Sequence, residues 1–275
     1  MAGPEKKRDI NPNEVTLAAT TATTATFDKG IPKTAFRRFT FRVVGTNNSL
    51  AGSAINKYVV KKNGTEIWNI TPAQFRALLE ATLGPIGGSV PATSALRYTM
   101  PFDLYMKDGI LGLPTDVYTV EIDVDADSSA GSIKQSFEFA DVEPAAYLRM
   151  MREPMGAAAS SPGHPSYIKT KAGIPVLGWI LPLVSATEGI QEAWLYRAPR
   201  DGANPIEIWH GTYLDILESQ AHYNPEAITN PFFWKPFDQP LDYPDGSYLK
   251  VKTGTSSVAG DEWVPVQMVP SALTI

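Results

Sequence analysis

The sequence predicts an all-β protein built as two related domains in tandem, each a sandwich or jelly roll of short strands with one short helix inserted. Three observations carry this. Glu-Ile-Trp occurs twice, at Glu66-Ile67-Trp68 and Glu207-Ile208-Trp209, and each copy runs into a threonine cap (Thr71, Thr212) and an apolar helical stretch, Phe75–Glu80 and Tyr213–Glu218. Downstream the pairing continues at one constant spacing, with Pro101-Phe102, Pro114 and Tyr118 falling opposite Pro231-Phe232, Pro244 and Tyr248. Short runs of β-favouring residues are separated by turns throughout, in a chain with 23 prolines and 21 glycines. An ordered internal repeat is the signature of duplicated architecture, and strands at this spacing indicate packed or rolled sheets, not a parallel α/β fold.

Each element follows from local pattern. In Ala35–Val44 the residues Phe39, Phe41 and Val43 alternate with Arg38, Thr40 and Arg42, as a half-buried strand requires. Ala54–Lys62 is a second strand, and Asn63-Gly64 supplies the positive φ angles of a type I′ hairpin into Thr65–Trp68. Thr71, with Pro72 at the first helical position and Gln74 completing a capping box, opens a helix whose stripe is Phe75, Leu78, Leu79 and Leu83. Tyr98–Met106 and Val117–Val124 are strands. Pro144 to about Gly156 breaks the β pattern, and Ala145–Met151 reads as a short helix. Strands resume over Gly178–Val184, Glu192–Arg197, Ile206–Trp209, Phe232–Phe237, Tyr248–Thr253 and Trp263–Val269. Asp201-Gly202 turns the chain where Asn63-Gly64 did before, and Thr212 caps the second helix. The domains expected are an N-terminal arm over 1–30, a first barrel over 31–143, a helical and flexible linker over 144–166, and a second barrel over 167–275. In the arm, Lys6-Lys7-Arg8 reads as an exposed tail, and the Thr16–Thr26 tract as a possible edge strand.

Composition narrows the function. The chain has 275 residues, 43% hydrophobic and 19% charged, with a net charge of −5, which gives no general attraction to nucleic acid. Cysteine is absent, which excludes disulfides and thiolate metal sites. No run approaches the roughly 18 apolar residues that span a bilayer, and the N-terminus lacks the order of a signal peptide, so an intracellularly made, non-secreted product is expected. The three histidines, His164, His210 and His222, have no metal-ligand spacing, too few for a copper oxygenase on paired jelly rolls. No nucleophile elbow, phosphate loop or dinucleotide fingerprint occurs, so no catalytic or cofactor-binding residue is assigned and no enzyme is expected. The one candidate cation cluster is Glu121, Asp123, Asp125 and Asp127, which alternation sets on one strand face and whose oxygens suit calcium; a solvated strand face looks the same. The six tryptophans read as core anchors.

Tandem barrels, each with a helix after a hairpin, resemble the double jelly-roll major capsid proteins of the adenovirus–tectivirus lineage. The similarity is greatest to those of corticovirus-like bacteriophages with an internal membrane. It is carried by Val59–Trp68 with Phe75–Glu80, by Val120–Asp127, by Tyr147-Leu148-Arg149-Met150-Met151-Arg152 and by Glu207–Glu218, and spans roughly residues 35 to 270. The resemblance implies a virion structural protein. Its homotrimers form pseudo-hexagonal capsomers that tile an icosahedral shell. Its partners are neighbouring capsomers, minor capsid or penton proteins and membrane proteins, with lipid contact through the N-terminal arm and no specific nucleic acid. The alternatives are a peptide-N-glycanase-like hydrolase, which needs converging carboxylates, and a carbohydrate-binding module, which needs exposed aromatic platforms.

Overall fold

The computed structural model describes residues 6–17, 22–30, 35–45, 55–83, 95–101, 110–111, 117–124, 131–140, 146–154, 165–169, 174–182, 187, 189–199, 201–221, 231–237, 239–254 and 262–270. The chain forms two compact units. One comprises Met1–Pro72, Gly87–Leu148 and Val269–Ile275, the other Ala73–Ile86 and Arg149–Met268.

The first unit contains β1 (Lys6–Leu17), β2 (Thr23–Gly30), β3 (Ala35–Gly45), β4 (Ile55–Lys62), β5 (Thr65–Ile70), β6 (Ala95–Pro101), the two-residue β7 (Ile110–Leu111), β8 (Val117–Val124) and β9 (Gly131–Ala140). One sheet has the order β1-β9-β3-β6, with β7 on β3, and the other the order β5-β4-β8-β2. The helix α1 (Pro72–Leu83) follows β5 in the chain and from Ala73 on is part of the second unit. The second unit contains β10 (Ala146–Met151) from Arg149 on, β11 (Glu153–Pro154), β12 (Pro165–Lys169), β13 (Val176–Leu181), β14 (Ile190–Arg197), β15 (Ile206–Thr212), α2 (Tyr213–Ala221), β16 (Phe232–Trp234), β17 (Tyr248–Thr253) and β18 (Glu262–Pro270) as far as Met268. Its sheets have the orders β10-β18-β13-β16 and β12-β17-β14-β15, with β11 on β18.

Leaving aside β7 and β11, the described strands of the two units have one topology. Taken in chain order, one sheet of each runs first-eighth-third-sixth and the other second-seventh-fourth-fifth, with the helix after the fifth strand. Eight strands interleaved in this way form a jelly roll.

Alternation explains which faces are buried. In β8 the inward residues Tyr118, Val120, Ile122 and Val124 are buried and the outward ones are not. In β17 the buried set is Leu249, Val251 and Thr253. The sequence repeat set Tyr118 opposite Tyr248, yet Tyr118 is buried and Tyr248 lies on the outward face. The two strands are therefore out of phase by one residue, and one residue exchanges inside for outside. The hairpin joining β4 to β5 has Asn63 at φ 52° and Gly64 at φ 81°, the left-handed pair of a type I′ turn. Its tip is held by two bonds to Val117: the Asn63 N–H donates to the Val117 carbonyl, and the Val117 N–H to Asn63 Oδ1, each at 2.9 Å.

The core of the second unit is aromatic. Trp179 lies 5.3 Å from Trp234 and 5.6 Å from Tyr243, and Trp209 meets Trp234 edge-on at 4.7 Å. Edge and tilted contacts at these distances suit the ring quadrupoles. Gly178 makes room for this: a Cβ there would stand 2.5 Å from the Trp234 carbonyl oxygen. Burial pushes the Tyr243 phenol far above its ordinary pKa, against the opposing charge of Arg197.

Two expectations are corrected. The stretch expected as a linker helix, Ala145–Met151, contains β10, with Tyr147, Leu148, Arg149 and Met150 all buried. A strand buried on both faces shows an unbroken apolar run, which periodicity does not separate from a short helix. Arg149 is tolerated there because its guanidinium donates to Gln267 Oε1 at 2.6 Å. The segment expected as an exposed arm contributes β1, paired with β9 from Lys6↔Ala140 to Leu17↔Gly131. The basic triplet Lys6-Lys7-Arg8 disguised a strand whose later residues, Val15 and Leu17, carry the β signal. The Thr/Ala tract does supply a sheet edge, as β2.

Candidate functional site

Outward residues of the two matching sheets carry the charged and aromatic side chains that sequence reading singled out. On the first unit, β8 presents Glu121 and Asp123. Lys61 Nζ sits 2.6 Å from Glu121, and Lys57 Nζ 3.1 Å from Asp123, which also accepts the Thr24 hydroxyl at 2.6 Å. The bond to Glu121 raises the Lys61 pKa above its ordinary value, against the desolvation that would lower it. These two carboxylates are thus each matched by a lysine across the strands. Asp125 and Asp127, the rest of the candidate cation cluster, lie outside the described residues. Among the described residues no group of three or more His, Cys, Asp or Glu could hold a metal ion.

On the second unit, β14 presents Glu192, Trp194 and Tyr196. Trp194 is opposite His210 of β15 on one side and Lys250 of β17 on the other. The imidazole stacks on the indole at 5.0 Å and 13°, and Lys250 Nζ lies 4.5 Å from the ring centroid. His210 Nε2 is 2.7 Å from Glu192 Oε1, and Lys252 Nζ is 3.9 Å from Glu192 Oε2. Tyr196 stacks on Tyr248 at 4.7 Å, and its hydroxyl donates to Glu207 at 3.0 Å. Both flanks of Trp194 are therefore occupied by this chain. A sugar platform needs an open ring face, and this arrangement leaves the indole only an edge. Sequence reading took Trp194 as core and missed its ladder. The alternation of Glu192, Trp194 and Tyr196 against Tyr248, Lys250 and Lys252 was the available signal; the cross-strand register was not readable. Of the other tryptophans, Trp68, Trp179, Trp234 and Trp263 are buried as expected, and Trp209 is partly buried. His164 and His222 lie outside the described residues.

A cavity of about 310 Å³ is lined by Arg197, Ala198, Pro199, Ile206, Ile208 and Pro244. Among the described residues its single charged lining residue is a cation, Arg197, and no carboxylate pair of the kind that glycosyl or amide hydrolysis would use lines it.

Two eight-stranded jelly rolls in one chain define a double jelly roll. Solved structures with this fold match nearly the whole chain. The major capsid protein of Sulfolobus Turreted Icosahedral Virus is similar over 97% of this chain and 97% of its own, with a TM-score of 0.64 and 10% identity. A chain of the atomic structure of that virus gives 0.64 and 12%, over 97% and 91%. The major capsid protein P2 of Bacteriophage PM2 gives 0.62 and 10%, over 97% of each chain. At this identity the likeness is one of fold. No family model matches the chain, and no curated protein matches it.

Proposed function

We propose that this chain is the major capsid protein of an icosahedral virus and acts in the virion as a structural subunit without catalytic function. The observation that carries this reading is the tandem pair of jelly rolls with one strand order, matched end to end by solved capsid proteins. Two similar units in one chain give a physical reason for trimers: three chains then present six similar bodies, and such a capsomer can tile a lattice with sixfold neighbours. The finer reading is a homotrimeric capsomer in a bacteriophage-like shell over an internal membrane. There it would meet neighbouring capsomers, minor capsid proteins and membrane proteins.

The test is the solution mass of the purified protein by light scattering. A trimer of three 29.9 kDa chains, about 90 kDa, is expected. A monomer at every concentration would overturn the capsomer reading.

A further inference from the structure

Among the described strands the two jelly rolls end one sheet on the same strand, the second of each, and treat it differently. In the second unit that strand is β12, five residues long, beginning at Pro165 and ending at Lys169. Short length, proline and lysine are the usual devices that stop an edge from pairing with another chain. In the first unit the strand is β2, eight residues without proline and with its one lysine, Lys29, next to its end, paired to β8 from Thr23↔Val124 to Gly30↔Val117 with no bulge. Among the described residues no strand pairs with its other side. Thr24, Thr26 and Asp28 are exposed, and Ala25 and Phe27 are buried. The proline and the shorter length blunt β12, and its topological twin offers the regular, threonine-rich run Thr23–Asp28.

We propose that β2 is an interaction surface for a second copy of this chain, joined edge to edge and antiparallel about a twofold axis centred on Thr26. The strand is complementary to itself in that register. Thr26 falls opposite Thr26, Thr24 opposite Asp28, and Ala25 opposite Phe27, small against large on the inward face. Cross-strand threonine pairs are favourable, and no like charges meet. A register centred on Asp28 would set two carboxylates face to face. A twofold contact is isologous and cannot build a threefold capsomer. It therefore deepens the capsid reading by joining copies from two neighbouring trimers, and it rests on that reading only for this location.

The chain has no cysteine, so a single introduced thiol is a clean reporter. Directly opposed residues on antiparallel strands have Cα atoms about 4.5–5.5 Å apart, within disulfide reach. Under mild oxidation Thr26→Cys should form a covalent dimer at least about tenfold faster than Asp201→Cys, an exposed turn control, at equal concentration. Equal rates overturn the proposal. A second measurement uses charge: Thr26→Lys and Thr26→Glu should each lose association between capsomers, and an equimolar mixture should regain it. Wild-type association by each variant alone also overturns it. The solution mass separates this from the capsomer reading. A trimer without preferential Thr26→Cys cross-linking removes the edge contact alone, and cross-linking of a protein that never forms trimers removes the capsomer alone.

Discussion

At the residue scale, the clearest device is the start of α2. The Thr212 N–H and hydroxyl both donate to Asp215 Oδ2, at 2.6 and 2.7 Å. The cap seen in the sequence at Thr212 is thus closed by the third helical residue, an aspartate doing what glutamate does in the usual capping box. Thr212→Ala should cost about 1 kcal/mol in urea denaturation. The hydroxyl and N–H of Thr212 hold the Asp215 carboxyl below the ordinary carboxylate range. Because the folded pKa is lowered, its contribution is complete above the unfolded carboxylate's pKa and is lost as pH falls through the depressed folded value. A wild-type advantage over Asp215→Asn should therefore be present at neutral pH and fade on acidification, as read by thermal melts across pH. Unchanged spacing between the two curves would refute the cap's role. The acidic face of β8 is argued at the same scale. Glu121 and Asp123 are each engaged by a lysine, so calcium would have to displace both. Millimolar calcium should leave Tm unchanged, and a rise of several degrees would mean that the strand surrenders its lysines to the ion.

At the element scale, strands with one wet face were legible, and of the strands covered on both faces β13 and β18 were read as strands while β10 was not. β8 alternates in both sequence and burial, and Asn63-Gly64 fixed the β4–β5 hairpin from chemistry alone. β10 was read as a helix because Tyr147 to Met150 carry no alternation to break. β1 was hidden by its basic first turn of sequence, and its partner β9 is distant in the chain, so no local signal could restore it. The ladder around Trp194 was invisible for the same reason: its members come from three strands whose register is a tertiary fact. Two outcomes follow. Trp68 is fully buried, and its indole donates to the Leu148 carbonyl at 2.9 Å. Trp68→Phe leaves that buried acceptor without this donor and should cost about 1–3 kcal/mol by chemical denaturation. Deleting residues 1–30 removes β1 and β2 together with the buried Ala25 and Phe27, which is no trimming of a tail. The truncated chain should lose cooperative unfolding, and a melt like that of the full protein would show these strands to be dispensable.

At the scale of the whole molecule, the duplication is exact in topology and inexact in sequence. The repeat in the amino acids exposed the fold class because Glu-Ile-Trp, cap and helix survive in both halves. It misaligned Tyr118 with Tyr248 because burial, not identity, keeps the phase of a strand. The chain also does not divide where a simple tandem would. The second unit takes in Ala73–Ile86, a stretch that sits between strands of the first, and the first takes back Val269–Ile275 from the chain's far end. The stretch 73–86 brings Phe75, Ala77 and Leu78, all buried. A fragment beginning at Arg149 therefore lacks that apolar surface and the first half of β10. A fragment ending at Leu148 carries α1 without the unit to which it belongs. Losing several large buried side chains at about 2–5 kcal/mol each exceeds what a domain of this size holds in reserve. Neither fragment alone should show a cooperative thermal transition by circular dichroism. Co-expression of the two should restore one, because together they contain every buried residue and lack only one peptide bond. A stable 149–275 fragment would mean that α1 is an accessory of the second jelly roll and no part of its core.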